Sequence, residues 1–307
     1  MAVPATVRLR EKSVPMRDFL ADCVSALSEG RTSREFTTFL TAGAAALAAE
    51  EDRWVQWGLE TPDLPELHGA IAALARDWLW QQTIDDFFVM HKPPGLRLRL
   101  APAPGHAEHV EALLRKRIRL WQDIGLVTRA VPSVYEPEAH LFGGPRSMAW
   151  AHRLFTVDSL TWLDHHTRPS GCPQWALSML MLRGVFDGLR IAGWEDRDVW
   201  ARVRETGRRH PEPVDTAVAA AGLRRWWHHP DELAATVPGP ARRLAERHAE
   251  EIRPLLDGWW NHYFTADGAR VGPREAACYY VVFHWNRGTL SFGRQVLIAE
   301  SLAAGDD

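Results

Sequence analysis

Tyr280, His284, Arg287, Ser291 and Gln295 follow one another at intervals of four, three, four and four residues. On a helix, that spacing brings all five side chains to one face. An imidazole exchanges protons near neutral pH, and a phenol or guanidinium beside it stabilises a developing oxyanion. Such a set suits the tautomerisation of an amide or the elimination of water, with Tyr280, His284, Arg287 and Ser291 as catalytic candidates and Gln295 as a substrate contact. An amphipathic helix with its polar stripe in water has the same spacing, and Gly288 and Gly293 are able to break the helix altogether.

Further candidates lie upstream. Arg97 and Arg99 alternate with Leu96, Leu98 and Leu100, so on a strand the two guanidiniums share one face. They suit peptide carbonyls or acidic side chains, with a solvated sheet face as the alternative. His91 ends the preceding strand. Asp158 and Ser159 fall on a helix, where structural hydrogen bonding is the stronger expectation. The 15 tryptophans include Trp54, Trp57, Trp285 and the pairs Trp226-Trp227 and Trp259-Trp260. They suggest an aromatic-lined cleft, or else a Trp-rich core.

Other chemistries lose their support. Phosphate-binding glycine loops, His-Glu-x-x-His and Gly-x-Ser-x-Gly are all missing, so no metal or other cofactor is expected. The doublets His165-His166 and His228-His229 lack a metal-binding face and are assigned surface or capping roles. Cys23, Cys172 and Cys278 are far apart and odd in number, which fits a reducing cytoplasm. A net charge of −3 disfavours nucleic acid. Charges at Arg8, Arg10, Glu11 and Lys12 interrupt any signal-peptide core, and no run reaches the roughly 18 apolar residues of a membrane span.

With 46% hydrophobic and 24% charged residues, the chain reads as a globular protein, expected to be one domain over residues 1–307. A charged leader precedes helices at 17–28 and 33–50, the second capped by Ser33. Residues 54–135 carry strands and helices: a short strand at Trp54–Trp57, a helix at 64–82, and strands at 86–90 and 96–100 around the turn Pro93-Pro94-Gly95. A helix at 105–124 and an extended segment at 127–135 follow. From 145 to 303 the pattern is mainly helical. The fold class is therefore α+β, mostly helical with a small antiparallel sheet.

Three segments in order carry a family resemblance: Asp86-Phe87-Phe88-Val89-Met90-His91 with Leu96-Arg97-Leu98-Arg99; Tyr135-Glu136-Pro137-Glu138 with Phe142-Gly143-Gly144-Pro145 and Phe155 to Ser159; and Asn286-Arg287. From about Trp54 to Glu300 the chain resembles the C-terminal, elimination domain of lantibiotic dehydratases, which also occurs free-standing in thiopeptide biosynthesis. The resemblance implies that members eliminating glutamate carry Phe-Phe-Ile-Arg-Tyr, His-Leu-Arg-Leu-Arg, Arg-Tyr-Gly-Gly and His-Met-x-x-Asn-Arg. Here Met90 stands in place of the arginine and Gly95 in place of the histidine. Leu141-Phe142 replace Arg-Tyr, and Val282 replaces the second histidine.

A retained scaffold with altered proton-handling positions resembles the pyridine synthases of thiopeptide pathways. That resemblance implies a formal [4+2] cycloaddition between two dehydroalanines of a leader-bearing, thiazole-rich peptide, with loss of water and leader and no cofactor. Alternatives are a glutamate-eliminating lyase and a non-catalytic peptide-binding partner of a dehydratase complex. Contact with dehydratase proteins is a further expectation.

Overall fold

The computed structural model describes residues 6–304 apart from 10–11, 32, 52–53, 93–94, 169–170 and 207–216. The turn expected at Pro93-Pro94 lies outside the described residues. Where the sequence suggests one domain, chain contacts divide the molecule into two compact units, Met1–Arg53 and Trp54–Asp307.

In the first unit, β1 (Thr6–Leu9) pairs antiparallel with β2 (Lys12–Pro15), followed by α1 (Met16–Ser28) and α2 (Arg34–Glu51). The hairpin replaces the expected charged leader; its four-residue strands are too short to show a period. Ser33 caps α2 as anticipated, its Oγ accepting from the Phe36 amide at 3.1 Å. Phe19, Cys23 and Phe36 form a small core.

The second unit begins with β3 (Val55–Glu60), α3 (Leu64–Trp80), β4 (Ile84–Lys92), β5 (Gly95–Pro102), α4 (Ala107–Asp123) and β6 (Arg129–Ser133). Asp63 caps α3 by accepting from the Glu66 amide at 3.0 Å, and Leu67, Ile71, Leu74 and Trp78 recur on its buried side. The strands form one antiparallel sheet in the order β4-β5-β3-β6. Strand alternation sorts the side chains. Trp57, Leu59, Phe87, Val89, Leu96, Leu98 and Leu100 pack with α3 and α4, while Phe88 and Met90 face the other way into a helical core.

That core is built from α5 (Pro145–Thr167), α6 (Gln174–Gly188), α7 (Trp194–Thr206), α8 (Ala217–His228), α9 (Pro230–Thr236), α10 (Gly239–Trp259), α11 (Pro273–Arg287) and α12 (Phe292–Ala303). The fold is thus mostly helical with a small antiparallel sheet. The edge strand β4 would leave amides unpaired, and α5 supplies their acceptors: Thr156 Oγ1 takes the Phe87 amide at 3.1 Å and Ser159 Oγ the Val89 amide at 3.2 Å. Ser159 is therefore a structural tie between sheet and bundle.

The Phe142-Gly143-Gly144-Pro145 segment is a turn shaped by Tyr263. Gly143 sits at φ 91°, and a Cβ there would overlap the Tyr263 hydroxyl, which donates to the Gly143 carbonyl at 3.2 Å. Among the described residues no helix is long and apolar enough to cross a membrane.

Candidate functional site

Asp158 of α5 is the centre of a polar cluster enclosed by the bundle. Its Oδ2 accepts from Arg287 Nε at 2.5 Å, and its Oδ1 from His284 Nδ1 at 2.7 Å. His284 Nε2 lies 2.9 Å from Ser178 Oγ on α6, and His248 of α10 places Nε2 3.5 Å from Oδ1. Asp158, Ser178, His248, Tyr280, His284 and Arg287 are all 0% exposed.

These contacts fix the protons. An ionised carboxylate only accepts, so His284 carries its hydrogen on Nδ1 and takes the Ser178 hydroxyl hydrogen at Nε2. Trp162 Nε1 lies 3.3 Å from the same Nδ1 and, being a donor itself, makes no hydrogen bond to it in this tautomer. Burial alone would push the Asp158 carboxyl up, but His284, Arg287 and His248 hold it well below the usual carboxylate range. Burial lowers His284, partly offset by Asp158, so this imidazole is neutral. Burial, reinforced by Asp158, raises the Tyr280 phenol far above its ordinary value. The result is one buried ion pair, Asp158 with Arg287, flanked by the neutral His284 and Tyr280.

Arg287 is boxed in from the sheet side. Its guanidinium lies over the Phe155 ring at 4.2 Å, and Nη1 points at Met90 Sδ, 3.9 Å away. Nη2 and the Tyr280 hydroxyl are buried without a hydrogen bond of good geometry. Gly95 departs from the eliminating pattern for a visible steric reason: a Cβ there would overlap the Leu59 carbonyl oxygen across the strand pair. Phe142 is fully buried among Phe155, Trp259 and Phe283, leaving no room for a polar group.

Beside this cluster, the sheet face opposite α3 and α4 carries Arg99, Arg97 and Gln56. Arg99 is buried, donates through Nε to Gln56 at 2.5 Å, and lies between the rings of Phe88 and Tyr135 at 4.8 and 4.6 Å. Tyr135 bonds His152 Nε2 at 2.9 Å, and burial lowers His152 to about 3. Trp54 packs edge-on against Phe88 and Tyr135. Arg97 is half-buried and has no hydrogen bond or ion pair among the described residues. Its cross-strand neighbours are Gly58 and Met90, so it stands over the Met90 wall of the Arg287 compartment.

The five-residue stripe does not survive intact. Helix α11 stops at Arg287, Gly288 is jammed against Trp162, and Thr289 turns the chain at φ 54°. Ser291 is exposed at the start of α12, and Gln295 spends its Nε2 on the Leu290 carbonyl at 2.8 Å. Tyr280, His284 and Arg287 do share a face, and it is the core that they face. Trp57 lies on the sheet side away from Trp54, and Trp285 stacks on Trp200 in the core. Trp227 and Trp259 are buried too, so most of the tryptophan excess is core and not cleft.

The doublet His165-His166 is enclosed, not a surface feature: His165 is buried and His166 stacks on Trp162. His91 bonds His68 Nε2 to Nε2 at 2.9 Å. Sequence reasoning missed Ser178, His248 and His68. His248 had a signal, since it falls on the otherwise apolar stripe Ala241, Ala245, Ile252, Leu256 of α10. Among the described residues no group of three or more His, Cys, Asp or Glu side chains is arranged to hold a metal ion.

The sequence profile of the family described as lantibiotic biosynthesis dehydratase C-term matches residues 59–303. This chain belongs to that family. Comparison with curated proteins gives no match. Among solved structures, the tRNA-dependent lantibiotic dehydratase MibB from Microbispora sp. 107891 is similar with a TM-score of 0.60 at 17% identity. The match covers 82% of this chain and 28% of MibB, so the likeness establishes the fold of a lantibiotic dehydratase C-terminal domain.

Two more chains are similar at lower scores. TsrL gives a TM-score of 0.47 at 16% identity over 81% of this chain and 93% of its own. TbtD, described as the pyridine synthase from thiomuracin biosynthesis, gives 0.46 at 12% identity over 82% and 96%.

Proposed function

We propose that this lantibiotic dehydratase C-terminal family member is a peptide cyclase that forms a pyridine ring by formal [4+2] cycloaddition. The observation that carries the reading is Met90: where the eliminating pattern has an arginine, a thioether closes the compartment of Arg287. Gly95, Phe142 and Val282 likewise offer no acid or base at the other altered positions, which speaks against glutamate elimination.

The reaction balances without an oxidant. One dehydroalanine and its neighbouring amide, as the iminol, supply the azadiene; a second dehydroalanine supplies two carbons. Two carbon–carbon bonds form and one ring double bond survives. Loss of water, then of the leader peptide as its carboxamide, each with a ring proton, supplies the other two. An enzyme contributes chiefly by holding two distant side chains at bonding distance, for which effective molarities of about 10⁵ M and above are known. Arg287 Nη2 and the Tyr280 hydroxyl, which lack a hydrogen bond of good geometry, are donors suited to an amide oxygen, and Arg97 and Arg99 are suited to the peptide backbone or an acidic leader.

A second reading is favoured by one fact: the Tyr280–His284–Arg287 group has no solvent exposure. A purely structural cluster would leave a peptide-binding module acting beside a dehydratase. To separate the two, the purified chain is incubated with a linear leader-bearing peptide containing thiazoles and two dehydroalanines. A cyclase releases leader and water and generates pyridine absorbance; a binding module shifts the peptide's anisotropy and leaves its mass unchanged.

A further inference from the structure

We infer that His68, His91 and His166 form a neutral imidazole latch that caps the last turn of α11 and lets go when it is protonated. The inference is independent of which reaction the chain performs. A helix leaves its last carbonyls without intrahelical partners. The Gly288 amide takes the His284 carbonyl at 3.0 Å and the Leu290 amide that of Trp285 at 3.2 Å. The next two carbonyls go to imidazoles: His91 Nδ1 reaches that of Asn286 at 3.3 Å, and His166 Nε2 that of Arg287 at 3.4 Å.

Carbonyls only accept, so both ring nitrogens must carry hydrogen. A neutral His91 protonated at Nδ1 has a bare Nε2, so His68 must donate from Nε2 across the 2.9 Å contact. His68 Nδ1 is then the unprotonated atom. It is buried without a hydrogen-bond partner, which is tolerable for a lone pair and costly for an N–H. One tautomer assignment thus satisfies all three rings, and adding a proton breaks it.

Among the described residues no carboxylate is placed to compensate such a proton. His68 from α3 feels His166 and His91; His166 from α5 feels His91 and His165. Asp164 on α5 is turned away to Arg76 and Arg247, and Arg287 of α11 is turned away to Asp158. Burial and the neighbouring rings lower His68 to about 3. Burial also lowers His166 to about 4 and lowers His91, outweighing the hydrogen bonds to the Asn286 and Arg287 carbonyls, which by themselves raise both rings. Depressed folded values mean that the stabilisation is complete above the ordinary histidine range, near pH 6.5, and is lost as pH falls from there toward 4. Because His166 also stacks on Trp162, the ring against which Gly288 is jammed, release frees the turn that carries Arg287.

The test is imidazole ¹⁵N NMR of the full chain, with hydrogen exchange of the segment 284–290 followed by mass spectrometry. At pH 7 the latch requires the Nδ1–H form of His91 and the Nε2–H forms of His68 and His166, all neutral. The protection factor of 284–290, with exchange corrected for the intrinsic slowing of amide exchange toward acid, should fall at least tenfold between pH 6.5 and 4.5, ahead of the rest of α11. His166→Gln keeps a donor where Nε2 stands but cannot titrate, so it should blunt the acid loss of protection. His166→Phe should open the turn already at pH 7. Ordinary titration of these rings near pH 6.5 with the turn still protected would overturn the inference. So would zinc binding by the cluster, or equal exchange in the Gln and Phe variants.

Discussion

Arg287 and Asp158, 129 residues apart in sequence, meet Nε to Oδ2 at 2.5 Å with both side chains at 0% exposure. A buried pair of this kind is better at specifying an arrangement than at adding stability, because both charges have been stripped of water. Its partners come from α5 and α11, so it locks the helix that carries Tyr280 and His284 to the helix that ties down β4.

Removing one member strands the other. Asp158→Ala or Arg287→Ala is expected to cost about 3–5 kcal/mol by denaturant titration, whereas Asp158→Leu with Arg287→Met should recover most of that loss. His284→Ala should also lower the melting temperature, because it leaves Ser178 and Asp158 oxygens unpaired in the core. Single variants within 1 kcal/mol of the parent, roughly the size of one ordinary hydrogen bond, would show the cluster to be open to water.

Arg97 offers the contrasting case. It is half-buried and unpaired among the described residues, so Arg97→Ala should leave the melting temperature within about 1 °C while weakening leader-peptide affinity roughly threefold to tenfold, less so as salt rises. Isothermal titration at two salt concentrations reads this directly, and unchanged affinity removes Arg97 from the peptide surface.

Restoring the eliminating pattern should fail. Met90→Arg brings a second guanidinium to within reach of Arg287, whose carboxylate partner Asp158 is already engaged, and Gly95→His drives a Cβ into the Leu59 carbonyl. Each is expected to cost several kcal/mol, on the order of one unpaired buried charge or a severe overlap, and neither should confer glutamate elimination. Gain of elimination by the double variant would overturn the account of these positions.

Asp86 predicts a pH dependence of opposite sense to the histidines. Burial raises its carboxyl to about 6, against the Thr156 hydrogen bond, which lowers it. The folded state therefore holds this proton more tightly than the unfolded chain, so its contribution is present at low pH and is lost as pH rises through 6. Asp86→Asn should gain in midpoint relative to the parent between about pH 4 and 6 and show a constant difference above that. A flat difference would place Asp86 in water.

Much of the fold was legible because its periods are strong. The alternation of Leu96 to Leu100 and the threes and fours of Leu67, Ile71, Leu74 and Trp78 name both an element and its buried side. Of the site, the helical spacing of Tyr280, His284 and Arg287 was visible, but its burial was not. What encloses it, Asp158, Ser178 and His248, comes from three other helices, and no local pattern reports such a meeting. The break at Gly288 was among the alternatives the sequence offered; what only the packing adds is its cause, since Trp162 occupies the space that a side chain at 288 would need.

The most direct measurement of the central claim is a competition in one tube. The chain receives an equimolar mixture of a glutamylated precursor peptide and a precursor already carrying thiazoles and two dehydroalanines, and both are followed by mass spectrometry. The account predicts loss of water and leader from the dehydroalanine peptide, a new pyridine chromophore, and an untouched glutamyl peptide. Release of glutamate with the dehydroalanine peptide left linear would contradict it.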